Sequence, residues 1–341
     1  MNLFRNKLNQ MKKYYVSSHS RMNQGYNIVE AELKEFESIF KNALKSDTPM
    51  LNRMMKYIVK TKGKQLRPLF VLLSAKICGG INESTYRAAS LVELLHTATL
   101  VHDDVVDEAP ERRGFLSVYA LWKTKASVLA GDYLLAKGLL LSLENKDFRV
   151  LELLSDAVRR MSEGELLQLE KSRLLNITEQ DYFTIISNKT ASLLASACAA
   201  GAYTANGKEE QVERMRVFGE NTGIAFQIKD DLFDYGTDDV GKPTGNDIRE
   251  KKLTLPLIYT LKNAPKETKR FLTYTIKNKN KDSSSVKSVI EEVQKAGGIK
   301  YAQEKMEQYK LKALEALDAF PASIEKDALA ELVKFTTERK K

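Results

Sequence analysis

Two short acidic runs stand out in the chain, Asp103-Asp104-Val-Val-Asp107 and Asp230-Asp231-Leu-Phe-Asp234, each closing an otherwise apolar segment. At about 100° per residue in a helix, His96, Asp103 and Asp107 share a face of the first segment, and Gln227, Asp231 and Asp234 share a face of the second. Carboxylates one turn apart repel each other unless a hard cation such as Mg²⁺ bridges them, and such an ion keeps positions for water and phosphate. One run alone reads first as a solvated helix face or an N-terminal cap. Two copies on apolar helices point to a metal-assisted site.

Basic residues are placed to match. Lys64 and Arg67 precede Pro68, a favoured first helical residue, so both charges sit beside a helix N-terminus. Arg112 and Arg113 follow the first run after Pro110, while Lys189-Thr190, Lys242 and Lys252 flank the second. Each taken singly is an ordinary surface charge; grouped around carboxylates, they suit a diphosphate. His96 has no second histidine at zinc-ligand spacing, so a zinc site is not expected.

Helices must position these groups. In 341 residues there are 43% apolar residues, only 7 prolines and 17 glycines, and apolar positions recur at three and four spacing, as in Phe36, Ile39, Phe40, Leu44. We read an all-α, single-domain bundle of roughly a dozen helices at residues 29–341, behind a basic leader at 1–28 that is poorly ordered. The uncharged stretch Thr190 to Gly207 is rich in small residues and reads as a core helix rather than a bilayer span. Lys277 to Lys287, with Asp-Ser-Ser-Ser inside it, reads as an exposed loop. Two cysteines, Cys78 and Cys198, make no disulfide framework and point to a reducing compartment. The net charge of +9 is concentrated at the start, where Arg5, Lys7, Lys12, Lys13 and Arg21 precede the first acid, Glu30. No aromatic-rich basic stripe accompanies it, so nucleic acid is not an expected partner. The leader's serines and lack of acids leave organelle import as an alternative to a cytoplasmic location.

From residue 62 to Pro256 the motifs G-K-Q-L-R-P, E-L-L-H-T-A-T-L-V-H-D-D-V-V-D, R-R-G, L-A-G-D-Y-L-L, E-G-E-L-L-Q, K-T-A, F-Q-I-K-D-D-L-F-D and G-K-P-T-G-N-D-I-R-E-K-K-L-T-L-P follow in order. Together they resemble the trans-isoprenyl diphosphate synthases, or polyprenyl synthetases. The resemblance implies helices around a deep central cavity with the two acidic runs facing each other across its mouth. It implies Mg²⁺, about three ions per site, on Asp103, Asp104, Asp107, Asp230, Asp231 and Asp234. It assigns Arg112, Lys189, Thr190, Gln227, Lys242 and Lys252 to an allylic diphosphate, and Lys64, Arg67, His96 and Arg113 to isopentenyl diphosphate. Catalysis would rest on Asp103, Asp104, Asp107, Lys189, Asp230 and Lys242.

The chain departs from the family's usual G-G-K-R at Lys62-Gly63-Lys64-Gln65, and Lys251 replaces a glycine in its later G-K-x-T-L-P. Short-chain members commonly carry aromatics at the fourth and fifth positions before the first aspartate, where this chain has Thr99 and Ala98. With Leu95 as upper wall and Tyr133 as floor, an open tunnel predicts a long product, hexaprenyl to decaprenyl and nearest octaprenyl, for a quinone side chain. Small residues also permit a close helix crossing, and a short-chain farnesyl or geranylgeranyl synthase, or a non-catalytic subunit of a heteromeric synthase, are the alternatives. A homodimer and transient membrane contact during product release complete the expectation.

Overall fold

Where apolar residues recur with helical period, the backbone is helical in the computed structural model, which describes residues 25–61, 63–236 and 244–338. In chain order the helices are α1 Glu30–Ala43, α2 Pro49–Lys60, α3 Leu66–Cys78 and α4 Glu83–Val106. A two-stranded hairpin, β1 Glu111–Arg112 and β2 Phe115–Leu116, leads to α5 Val118–Glu144, α6 Phe148–Leu174 and α7 Glu179–Ile186. A π-helical turn, Ser187–Ala191, joins α7 to α8 Ser192–Thr204, which is followed by α9 Glu209–Phe233. Then come α10 Asn246–Arg249, α11 Leu255–Asn263, α12 Lys266–Asn278, α13 Ser283–Lys295, α14 Gly298–Leu317 and α15 Ile324–Glu338. Local chemistry sets several boundaries: α2 starts on Pro49, and α4 and α7 open on reciprocal capping boxes, Asn82 with Thr85 and Thr178 with Asp181.

By contact density the chain forms two compact units. The first runs to Val158 and adds Leu193–Arg216 and Phe320–Glu331. Its core is the all-round apolar α3 with α4 and α8; Leu69, Phe70, Leu72, Leu73, Leu91 and Leu94 are fully buried, each such side chain contributing about 1.5–3 kcal/mol. Ala197, Cys198, Ala199 and Ala200 of α8 are buried too, and a Cβ added at Gly201 would collide with the Val71 carbonyl. The second unit comprises Arg159–Ser192, Val217–Ala319 and the chain from Leu332. Its core draws on Tyr182, Ile224, Ile228, Leu257, Leu272 and Val289. Of the leader, residues 1–24 lie outside the described residues; 25–28 form a helical turn whose Tyr26 hydroxyl donates to the Lys64 carbonyl.

The structure corrects two readings. Lys277 to Lys287 is not a loop throughout: α12 continues to Asn278, and Asp282 accepts the Ser285 N–H at 2.8 Å to cap α13, so the serines are a first helical turn. Pro68 is not the first residue of its helix, which begins at Leu66 behind Gln65, a left-handed N-cap at φ 50°.

Three lysines, Lys123, Lys146 and Lys251, sit where the backbone suits glycine. Lys123 bends α5 at φ 65°, ψ 175°, a region that costs a side chain about 1–3 kcal/mol. Lys251, the family's glycine position, has φ 59°, and its Nζ donates to the Lys277 carbonyl at 3.1 Å. Lys123→Gly is therefore expected to raise the thermal midpoint, by about 1 kcal/mol of stability. Lys251→Gly gains less, since it also gives up that hydrogen bond; differential scanning calorimetry of both variants checks the order.

Candidate active site

In the first unit the acidic run ends α4, where exposed carbonyls already favour a cation. Asp104 turns inward, 2% exposed, and accepts from Arg112 Nε at 2.6 Å. Burial raises its pKa while that guanidinium lowers it. Asp103 is partly buried, and Asp107, at the helix end, is exposed. The hairpin aims the two arginines. Arg113 and Gly114 join paired residues Arg112 and Phe115 with φ 55° and 77°, a primed two-residue turn that needs positive φ twice. Arg113 then lies over Gly63, where a Cβ would sit 2.6 Å from the guanidinium carbon. A side chain at position 63 would push that guanidinium aside, so the Gly63 loop and the R-R-G turn are shaped to each other.

A cleft of about 610 Å³ opens here, lined by Glu93, His96, Asp104, Arg112 and Arg113 together with Phe40, Tyr57 and Leu116. Arg67 stands behind His96, its Nη1 2.8 Å from His96 Nε2. A guanidinium can only donate, so Nε2 accepts and the neutral ring carries its proton on Nδ1. Burial, then Arg67, Arg113 and Arg112, hold the His96 pKa well below its ordinary value. Burial also pushes Arg67 down to about 10, against the pull of Glu93, and it remains charged at neutral pH. Glu93, absent from the sequence-based site, is the acid facing both Arg67 and Arg113. A charge inside the apolar run Leu91-Val92-Glu93-Leu94 was the available signal.

His96 gives a pH prediction. The unfolded chain binds a proton at this ring below the ordinary histidine value of 6.5, and the folded chain does not, so stability falls as pH drops below that value. His96→Gln is expected to flatten the acid side of the midpoint-versus-pH curve between about pH 6.5 and 5, read by thermal melts.

In the second unit a cleft of about 640 Å³ is lined by Gln168, Lys189, Thr190, Gln227, Asp231, Asp247 and Lys252. Lys189 lies in the π-helical turn, a device that re-aims a side chain out of α-helical register. The turn is clasped on two sides: a Cβ at Gly164 would lie 2.9 Å from Lys189 N, and one at Gly223 would lie 2.6 Å from Ala191 Cα. Lys189 pairs with Glu165, and Lys252 with Glu250 at 2.6 Å. Thr190 donates to Gln227 at 2.8 Å, and Gln227 donates to Asp231 Oδ1 at 2.9 Å. Tyr182, which sequence reasoning missed, donates to Asp231 Oδ2 at 2.7 Å. Burial, with Asp247 nearby, pushes the Asp231 pKa up to about 8. Asp234 accepts the Asn246 and Asp247 N–H groups at 2.8 and 3.0 Å, capping α10.

The six aspartates thus divide. Asp104 holds Arg112, while Asp231 and Asp234 each accept at both oxygens from protein donors. Asp230 is half-buried in the last turn of α9. Lys242 lies outside the described residues, and Lys64 is exposed just before α3. Among the chain-length candidates, Leu95 and Ala98 are buried. Thr99 is partly buried with its hydroxyl on the His96 carbonyl at 2.9 Å. Tyr133 donates to the Lys45 carbonyl at 2.8 Å at an exposed position.

Among the described residues, no group of three or more His, Cys, Asp or Glu is set to chelate a metal ion by itself. An all-oxygen donor set of so few carboxylates fits Mg²⁺, which keeps its waters and binds through one or two carboxylates plus substrate phosphates.

An all-α scaffold with acidic helix ends, and in each unit a cleft where carboxylates meet basic side chains, defines a class of protein that handles phosphorylated substrates. The chain belongs to the Polyprenyl synthetase family, whose profile matches residues 48–293. It is 34% identical over 298 residues to the octaprenyl diphosphate synthase of Escherichia coli, covering 87% of this chain and 92% of that one. It is equally 34% identical over 312 residues to the geranylgeranyl diphosphate synthase of Saccharolobus solfataricus, covering 88% and 94%. The crystal structure of a polyprenyl synthase from Caulobacter crescentus complexed with calcium and isoprenyl diphosphate superposes with TM-score 0.86 at 34% identity, covering 93% and 98%.

Proposed function

We propose that the protein is a Mg²⁺-dependent trans-polyprenyl diphosphate synthase, joining isopentenyl diphosphate 1'-4 to an allylic diphosphate such as farnesyl diphosphate and repeating the step to a long all-trans chain for a quinone side chain. The observation that carries the reading is that in each unit a cleft brings an acidic run together with two basic side chains, Asp104 with Arg112 and Arg113 in the first and Asp231 with Lys189 and Lys252 in the second. Two diphosphate substrates need two such places. Lys64, Arg67 and Arg113 hold the isopentenyl diphosphate, and neutral His96 positions Arg67 without adding a charge. Arg112, Lys189, Thr190, Gln227 and Lys252 hold the allylic diphosphate. Asp103, Asp107 and Asp230 would hold Mg²⁺, which supplies Lewis-acid stabilisation of the leaving diphosphate.

As the allylic C–O bond breaks, negative charge grows on the departing diphosphate, and the fixed guanidinium and ammonium groups stabilise it there. The isopentenyl double bond forms the new C–C bond to the allylic carbon. A proton then leaves to the released diphosphate, restoring a trans double bond. Lys189 and Lys252 rest on carboxylates in the free protein, so substrate diphosphate competes with Glu165 and Glu250 for them.

Purified protein with Mg²⁺, farnesyl diphosphate and isopentenyl diphosphate, its dephosphorylated products sized by mass spectrometry, tests this. A ladder ending in a long prenyl alcohol supports the reading, and no elongation refutes it. A second reading, a short-chain synthase, draws on Ala98, whose neighbours on α4 meet glycines of α5: a Cβ at Gly138 would lie 3.6 Å from Leu94 Cβ, and one at Gly131 would collide with His102 Nε2. In this reading the small residue serves the helix crossing, and the same assay stops at twenty carbons.

We also propose a homodimer. The outer face of α5 exposes Leu129 (67%), Leu140 (47%) and Leu143 (52%), a run of apolar surface that a second copy would cover. Multi-angle light scattering should give twice the 38.6 kDa chain mass, and Leu129→Glu with Leu140→Glu should shift it to one.

A further inference from the structure

The surface around α12 is strongly basic. From Lys262 to Lys281 there are seven basic residues and one acid, Glu267. Basic side chains elsewhere repeatedly meet an acid on their own helix, as Lys34 does Glu30, Lys41 Glu37, Arg159 Glu163 and Arg216 Glu213. None of these seven has a carboxylate at ion-pair distance among the described residues, and Lys269 Nζ instead bonds the Lys262 carbonyl at 2.9 Å.

The helix is amphipathic by geometry. Leu272, Thr275 and Ile276 are its buried positions. At about 100° per residue the opposite direction collects Lys266, Arg270, Tyr274 and Lys277. Phe271 (42% exposed) and Tyr274 (55%) stand among these cations, and Lys279 Nζ lies 5.9 Å from the Tyr274 ring centre. Asp282, the next acid, is spent on capping α13.

We propose that this face of α12, with the lysines that follow it, docks the protein on an anionic lipid surface. Unpaired cations beside exposed aromatic rings match such a surface in both respects: the charges meet lipid phosphates and carboxylates, and the rings settle at the boundary of headgroups and acyl chains. Lysine and arginine stems can flatten along the interface while their heads stay in water. The need for docking rests on the long-chain synthase reading, since a product of eight or so prenyl units is itself a membrane lipid by hydrophobicity.

The experiment is co-sedimentation of the purified full chain, without substrates, with vesicles of phosphatidylcholine alone and of phosphatidylcholine containing one-third phosphatidylserine. Each cation near such a surface contributes about 1 kcal/mol, or about fivefold. The Lys266→Glu/Arg270→Glu/Lys277→Glu variant is therefore expected to lose on the order of a hundredfold in partition to anionic vesicles, and added salt should weaken the wild type. Phe271→Ser/Tyr274→Ser, a variant that keeps every charge, should lose severalfold at high salt, where ring insertion dominates. Equal binding to neutral and anionic vesicles, no binding, or an unchanged triple variant overturns the proposal. So does preference for duplex DNA over anionic vesicles, which would assign the face to nucleic acid. Elongation of a soluble primer should be unchanged in both variants. A chain that binds anionic vesicles but elongates nothing refutes the synthase reading and leaves the docking surface standing; one that elongates but ignores vesicles does the reverse.

Discussion

Asp230→Ala is expected to lower kcat by about a thousandfold, in the range seen when a group stabilising transition-state charge is removed, while its melting curve stays within a degree or two of the parent. Asp234→Ala, four residues on, should behave differently. Its carboxylate accepts two N–H groups at the start of α10, and losing such a cap costs about 0.5–2 kcal/mol. Because the same turn leads into Asp247 and Lys252 of the second cleft, turnover should also fall, with the Michaelis constant for the allylic diphosphate rising. Steady-state kinetics and calorimetry on the two variants separate an ion-binding carboxylate from a structural one. Equal losses of both kinds in both variants would refute the division of labour. The contrast arises because Asp234 faces backbone donors that water would otherwise have to satisfy.

The second large effect concerns product length. Thr99→Phe should shorten the longest product by several prenyl units if the surface below the first acidic run lines the growing chain. Ala98→Phe should not act the same way. Ala98 is fully buried, and it lies on the α4 stripe between the close approaches of Leu94 to Gly138 and His102 to Gly131. Overpacking such a site costs about 1–3 kcal/mol, so Ala98→Phe should lower the melting midpoint before it alters the products. Mass spectrometry of the prenyl alcohols beside thermal melts reads both. An Ala98→Phe chain that melts normally and makes shorter products would place Ala98 on the tunnel and remove the crossing argument.

Much of this protein is legible in one dimension. Helical character follows from apolar residues at three and four spacing and from few prolines and glycines, because a helix presents one face to its core at that period. The acidic runs and the Lys189-Thr190, Arg112-Arg113 and Lys64-x-x-Arg67 groups could be found because charge interrupts apolar segments at helical spacing. Lys123 escaped notice since the usual marks of a bend, Pro or a Gly pair, are absent there; the chain bends because the backbone adopts a left-handed φ despite the side chain.

What Asp104, Asp231 and Asp234 bond to was decided by tertiary structure alone. Asp104 meets an arginine brought round by a two-residue turn, Asp231 meets a tyrosine 49 residues earlier, and Asp234 meets backbone N–H groups 12 and 13 residues later. Glu93 likewise acquires meaning only beside Arg67 and Arg113. Sequence determined which residue types and periods were available; folding determined their partners, because a buried carboxylate must find donors wherever the packed helices bring them, and that pairing has no fixed separation along the chain.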